Sequence, residues 1–321
     1  MKYKIKIYLY KEPYIYIIKM IDKVIIWGLK NSWHTHSHIH KAFYRAFVYL
    51  KYETYWINKK EEYNGEISNA LILYSGKLNE KDIEPPPVID SCFYLLHNCK
   101  VDTKNYLTFQ VYTTDCIGRD KERDLKYHYN NDDTLYFYWG TNLLPNEIEE
   151  NIKNIELINN DKNENCCHVG SLSGNWRKPW TTLANHLKEY GVGFSHHYHL
   201  SDIEHINVIQ NSLFAPAVQF KWQVDKEYIP CRIFKNISYG KMGITNNKAV
   251  NNIFDNQLIY DTDLKNLAKK CMIFDKLPKK LKIEKIVKLM KIVKDKHTYV
   301  SKINYILDFL RKEKDIEIEK K

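Results

Sequence analysis

Four histidines open the chemical inventory of this chain. His34, His36, His38 and His40 fall on alternate positions of NSWHTHSHIH, residues 31–40, just after the apolar run VIIWG. An imidazole titrates near neutral pH, so it serves either as a base or as a metal ligand. Alternate residues of an extended segment point the same way, which suits capture of zinc by two of them. A metal site needs further ligands, and no later Glu, His and Asp-x-His follow in the necessary order. We therefore expect no metal here. His34 and His36, ahead of a helix capped by Ser37, are the candidate bases for deprotonating a hydroxyl, with His38 and His40 inside that helix. The other reading is a polar loop without chemistry. His97, in YLLHN, ends another apolar run.

A second group lies in CRIFKNISYGKMGITNN, residues 231–247. Arg232 and Lys235 are three apart and share one side of a helix. Ser238 and Gly240 follow one turn later, and Asn246 ends a short strand. Upstream, VGSLSGN places Gly170, Ser171 and Gly174 in a turn before a helix. A guanidinium, a glycine that lets backbone approach a ligand, and free helix N–H groups suit an anion such as a diphosphate. Solvent-facing cations on an ordinary helix are the other reading.

The elements that must position these residues alternate. Apolar runs at 23–28, 52–57, 70–76, 92–98, 106–113 and 135–140 read as strands, with a helix over 37–51. Residues 149–165, rich in Asn and charge, read as a linker. The pattern then restarts, with a strand and glycine turn over 165–176, strands at VGFSHH, LFAPAVQF, KMGIT and QLIYD, and helices at 178–191, 202–212 and 231–240. Alternating strands and helices imply parallel sheets covered on both faces. The fold class expected is α/β, two Rossmann-like domains facing a cleft, with a C-terminal crossing helix. The expected domains are 1–155, 156–278 and a lysine-rich helix over 279–321.

Composition narrows the setting. A hydrophobic fraction of 44% and a charged fraction of 27% are those of a globular protein with a sizeable core. Seven cysteines without framework spacing suggest reduced thiols. No run reaches the roughly 20 apolar residues of a spanning helix, and the N-terminus lacks the pattern of a signal peptide. A soluble, cytoplasmic protein is expected. The net charge is +10, and residues 276–296 hold nine Lys against Glu284 and Asp295. This basic helical stripe is a solvated face, or a surface for a peripheral contact with an anionic membrane or for nucleic acid. No module for sequence-specific nucleic-acid recognition is visible.

The motif in 231–247 resembles the donor-site helix of GT-B glycosyltransferases, and is most similar to the exostosin-like and CgeB-like group. There the pattern is roughly R-x-F-E-A-x-x-x-G-x-x-x-(I/V/L). Arg232, Phe234, Gly240 and Ile244 stand in the matching positions, and Lys235 falls where the family has a Glu that contacts ribose. WGTNLLPNEI, residues 139–148, resembles the interdomain edge of related sugar transferases. The resemblance implies a metal-independent glycosyltransferase without a cofactor, moving a hexosyl or pentosyl group from a nucleotide sugar to a glycan or other hydroxyl acceptor. Gly170, Ser171, Arg232, Lys235, Ser238, Gly240 and Asn246 of the second domain would bind the donor, His34 or His36 and His97 of the first would face the acceptor, and the C-terminal helix would pack back on the first domain. Two further readings are a metal-dependent phosphoesterase built on HTHSHIH and a non-catalytic degenerate transferase that binds polyanions, the latter favoured by Lys235.

Overall fold

The computed structural model describes residues 5–8, 16–30, 32, 35–75, 84–97, 99, 101–111, 128–130, 134–159, 164–172, 174 and 177–321. The chain divides into two compact units. The first comprises Met1–Gln110, Tyr127–Phe137 and Tyr299–Lys321, and the second Val111–Lys126 and Tyr138–Thr298.

The first unit opens with β1 (Ile5–Tyr8), β2 (Tyr16–Ile21) and β3 (Lys23–Trp27). Helix α1 (Thr35–Tyr49) follows, then β4 (Thr54–Ile57), β5 (Ala70–Ser75), β6 (Phe93–His97), β7 (Tyr106–Gln110), β8 (His128–Asn130) and β9 (Thr134–Tyr136). The main sheet has the order β4-β3-β5-β6-β7-β9-β8, parallel except for the β8–β9 pair. All six residues of β5 and all five of β6 are buried. That explains why they read as unbroken apolar runs: a strand covered on both faces has no solvent side to alternate with. Helix α1 covers one face through Ile39, Ala42, Phe43, Ala46 and Phe47, the i, i+3, i+4, i+7, i+8 stripe of an amphipathic helix.

The second unit begins with α2 (Pro145–Lys153) and α3 (Ile155–Ile158). These occupy the stretch expected to be a linker. Its Asn and charge content hides Ile155 and Ile158, both buried, the first of them in the unit's core with Ile148. Then come β10 (Asn165–Val169), α4 (Arg177–Lys188), β11 (Gly193–His197), α5 (Asp202–Gln210), α6 (Lys221–Asp225), α7 (Cys231–Ser238), β12 (Ile244–Thr245), α8 (Lys248–Ile253), β13 (Ile259–Tyr260), α9 (Leu264–Asp275) and α10 (Lys279–Lys296). The chain returns to the first unit in α11 (Tyr299–Glu313) and β14 (Ile316–Ile318), which pairs with β2.

In the second sheet β10 pairs with β11, and β12 with β13, all parallel. The segment expected as a strand over LFAPAVQF bridges the two pairs without forming a regular ladder. Leu213 N donates to Asn165 O, Cys167 N to Phe214 O, and Ala217 N to Ile244 O. Pro216 sits in its middle and has no N–H to give. Counting this segment, the spatial order is β11, β10, segment, β12, β13, which in chain order is 2-1-3-4-5. The six parallel strands of the first unit begin with the same 2-1-3-4-5 order.

The C-terminal stretch expected as one helix is two. Gly140 explains the break, because a Cβ there would lie 2.5 Å from His297 O. The bare backbone of Gly140 and Thr141 can therefore approach residues 297–298, and Thr141 N donates to His297 O at 3.0 Å.

Candidate functional site

The second unit assembles the larger cluster, and its position follows from topology. In an open parallel sheet, ligands bind beyond the carboxyl ends of strands where the winding order reverses. In the 2-1-3-4-5 order that point lies at the end of β10, between β10 and the segment at 213–217. Gly170 stands there with φ +125°, a conformation that side chains rarely adopt. It also has no room for one, because an added Cβ would lie 3.0 Å from Arg232 Nη2 and 3.7 Å from His168 Nε2. The guanidinium from the first turn of α7 therefore rests against the turn after β10.

Histidines complete this edge. His168 and His196 are register partners on β10 and β11. His168 is buried beneath Trp180, ring centroids 4.2 Å apart, and 5.7 Å from His196. His196 Nε2 lies 2.7 Å from Gly170 O, and a carbonyl only accepts, so Nε2 carries the proton. Burial first, then the Arg232 and His196 charges, hold the His168 pKa far below its usual range. Its ring is therefore neutral, and neither nitrogen has a hydrogen-bond partner of good geometry among the described residues. The Ser171 backbone approaches it and acts weakly the other way. Burial also lowers the Arg232 pKa, against smaller contributions from Cys231 and Tyr228. Even so, a guanidinium stays charged. Among the described residues no carboxylate pairs with Arg232. A partly buried cation without a counterion, against bare backbone at a helix start, is an arrangement for an anionic ligand.

The structure separates the residues expected at the donor site. Gly170, Ser171 and Arg232 come together, and Lys235 lies one turn further along α7. Ser238 is fully buried at the end of α7, its Oγ 2.7 Å from Thr141 Oγ1 and donating to Lys235 O. Gly240 closes the helix with φ +97°, where a Cβ would meet Ile158 Cγ2 at 3.0 Å and Ile155 Cδ1 at 3.1 Å. Asn246 spends its amide on the Gln219 backbone, accepting from N and donating to O at 2.8 Å each. The side chains of Ser238 and Asn246 and the backbone of Gly240 thus hold α7, the segment at 213–217 and β12 in place. Through Ser238 and through Tyr239, which donates to Asn142 Oδ1 at 2.6 Å, they also fix the WGTN stretch.

His168, His196 and His205 were not recognised as neighbours of Arg232 from sequence. The signal was present: CHVG and SHH end two consecutive apolar runs, and parallel pairing in register brings such ends side by side. His205, on α5, packs edge-on against Tyr239 with ring centroids 5.6 Å apart. It also lies near enough to His168 to help hold that ring neutral.

The first unit brings two of its expected residues together. His36 meets His97 edge-on, ring centroids 5.1 Å apart. His97 is buried at the end of β6 with Nδ1 3.2 Å from Phe109 O. That carbonyl fixes the Nδ1–H tautomer of the neutral ring and leaves the lone pair on Nε2. His34 lies outside the described residues. The helix starts at Thr35, so Ser37 is inside it rather than its cap, and His36 is helical rather than preceding it. Helical twist then breaks up the alternating histidines: His36 and His40 share a side while His38 turns away. His40 Nδ1 is consumed by Gly28 O at 3.0 Å. Among the described residues no group of three His, Cys, Asp or Glu is placed to hold a metal ion. Nor is any helix among them long and apolar enough to cross a membrane.

Two cavities lie away from these clusters. One of about 900 Å³ is lined by Tyr52, α11 and β14. Another of about 440 Å³ opens at the amino edge of the second sheet, by Val192, Phe214 and Lys241. Lys241 is buried there, donating to Ile158 O at 3.1 Å, and desolvation lowers its pKa to about 7. This ammonium closes the end of α3.

No protein-family model matches the chain. No curated protein matches it in sequence. Solved structures do match in shape. An OtsA apo structure superposes with TM-score 0.53 at 8% identity, covering 89% of this chain and 98% of that one. A glycosyltransferase from Rickettsia africae gives 0.47 at 9% identity over 90% and 98%. An alpha1,3-fucosyltransferase with GDP gives 0.42 at 9% identity over 87% and 92%. At such identity the likeness is one of fold: two Rossmann-like units of the GT-B glycosyltransferase type.

Proposed function

We infer that the chain is a glycosyltransferase that moves a hexosyl or pentosyl group from a nucleotide sugar to a glycan or other hydroxyl acceptor. The observation that carries this reading is Arg232, a guanidinium without a carboxylate partner among the described residues, laid against Gly170 at the switch point of the second sheet. A donor diphosphate there would meet the guanidinium, the Gly170–Ser171 turn and the first N–H groups of α7, with Lys235 one turn on. Stabilising charge on the departing diphosphate is the largest contribution such residues can make, and here Arg232 makes it in place of a metal. In the first unit, His36 deprotonates the acceptor hydroxyl and His97 holds the acceptor, its neutral tautomer fixed by Phe109. The GT-B fold agrees with this division, and a shared fold by itself leaves the reaction open.

The test is calorimetric titration of UDP and GDP into wild type, Arg232→Ala and Arg232→Lys. Loss of charge-assisted hydrogen bonds costs roughly 1.5–3 kcal/mol, so Arg232→Ala should bind about one to two decades more weakly. Lysine should restore little, since a point charge cannot reproduce the fork. Melting temperatures should stay close together. Equal affinity in wild type and Arg232→Ala would remove the donor site from this position.

A further inference from the structure

Nearly all of this chain's net charge lies in two consecutive helices. From Leu264 to Lys296, α9 and α10 hold twelve Lys against Asp275, Glu284 and Asp295, a net +9 out of +10 for the whole protein. Three of those lysines are paired: Lys270 with Asp261, Lys282 with Asp275 and Lys294 with Glu149. The other nine make no ion pair among the described residues. On α10, Leu281, Lys285, Lys288 and Lys291 follow at i, i+4, i+7 and i+10, opposite the buried Ile286, Met290 and Val293. On α9, Lys265, Lys269, Ile273 and Lys276 follow at i, i+4, i+8 and i+11, away from the buried Leu267, Ala268 and Cys271.

Aliphatic side chains interrupt both basic stripes near the turn between the helices. Ile273 is 56% exposed and Leu281 38% exposed, and Lys276, Pro278, Lys279 and Lys280 between them are all exposed. Single exposed aliphatic residues are ordinary on a surface, but these two stand within rows of lysines. A surface for nucleic acid would interleave aromatic rings rather than Ile and Leu. Lysines around exposed aliphatic tips match an interface of anionic headgroups over acyl chains.

We propose that the α9–α10 corner is a docking surface for an anionic lipid bilayer, with Ile273 and Leu281 entering the headgroup boundary and the lysines around them neutralising lipid charge. The proposal extends the basic stripe read from sequence to α9, and it does not rest on the glycosyltransferase reading. The test is cosedimentation of the full chain with vesicles of phosphatidylcholine alone and of phosphatidylcholine mixed with phosphatidylglycerol. Binding should need phosphatidylglycerol and fall with added salt. Lys279→Gln with Lys280→Gln should lower the partition coefficient roughly twenty-five-fold, about fivefold per lysine. Ile273→Ser with Leu281→Ser should weaken vesicle binding and leave heparin binding unchanged. These side chains are exposed, so every variant should fold, and UDP or GDP titration should be unaffected. Binding to heparin but not to vesicles, or vesicle binding indifferent to the Ile273 and Leu281 changes, would overturn the proposal.

Discussion

His168 sits where a positive charge would be costly, under Trp180 and facing Arg232. Its proton-linked behaviour follows. In the unfolded chain it titrates near the ordinary histidine value of about 6.5, whereas burial keeps it neutral in the folded protein well below that. Above about pH 6.5 both states are neutral and the residue adds no pH dependence. Below it the unfolded state takes up a proton that the native state refuses, so stability falls as pH falls. The slope approaches about 1.4 kcal/mol per pH unit for one proton. Urea unfolding of wild type and His168→Gln across this range should give a difference that grows towards acid, with the variant less acid-sensitive. Parallel profiles would mean that His168 titrates normally. At this scale the sequence was partly legible. Arg232 and Gly170 were legible as neighbours, since both residue types carry their chemistry openly. Ser238 and Asn246 were not, because the same hydroxyl and amide groups serve structure or ligand, and only their partners decide.

Among the elements, α7 shows how one short helix combines two duties. Its start presents Arg232, while its end is locked by Gly240 against Ile155 and Ile158. Gly240→Ala must place a side chain at φ +97° and push into two isoleucines. Strain of this kind costs about 1–3 kcal/mol. Chemical denaturation should show that loss, and nucleotide affinity in the folded fraction should stay at the wild-type value. A drop in affinity with unchanged stability would return Gly240 to the donor site. Strands β3, β5 and β6 were readable because burial on both faces leaves an uninterrupted apolar signal. The end of α10 was not. The amphipathic pattern runs on through residues 297–298 without Gly or Pro, and the interruption comes from pairing with Thr141, a contact 157 residues away in the chain. Helices α2 and α3 were obscured in another way, their isoleucines being spaced among Asn and Glu that resemble a tether.

At the scale of the molecule, each unit repeats the 2-1-3-4-5 winding, but only the second keeps its main elements contiguous in sequence. The first is completed by α11 and β14. Tyr299 packs edge-on against Phe43 at 4.8 Å, and Ile303, Ile306 and Leu310 are fully buried. Truncating a buried aromatic to alanine costs about 3–5 kcal/mol, so Tyr299→Ala should weaken the first unit in particular. Hydrogen exchange should speed up in α1 and β2 and change little in α7. Uniform acceleration through both units would show that they unfold as one. The charge distribution was legible at this scale from composition alone, because lysine runs need no fold to be counted. One helix over 279–321 was expected to pack back on the first domain, whereas it is Tyr299–Lys321 that returns to the first unit; the pairing with β2 was not legible, since strand partners far apart in sequence leave no local pattern.

That return has a consequence for how the protein is made. Residues up to Gln110 leave the ribosome early, yet the side chains that cover α1 and the strand that pairs with β2 come after Thr298. At about 5–20 residues per second, roughly ten to forty seconds separate the two. Through that interval Phe43 and its neighbours lack their cover, while the second unit is emerging with its own elements nearly in order. The half synthesised first is therefore the half finished last, and it is there that a nascent chain would need a chaperone.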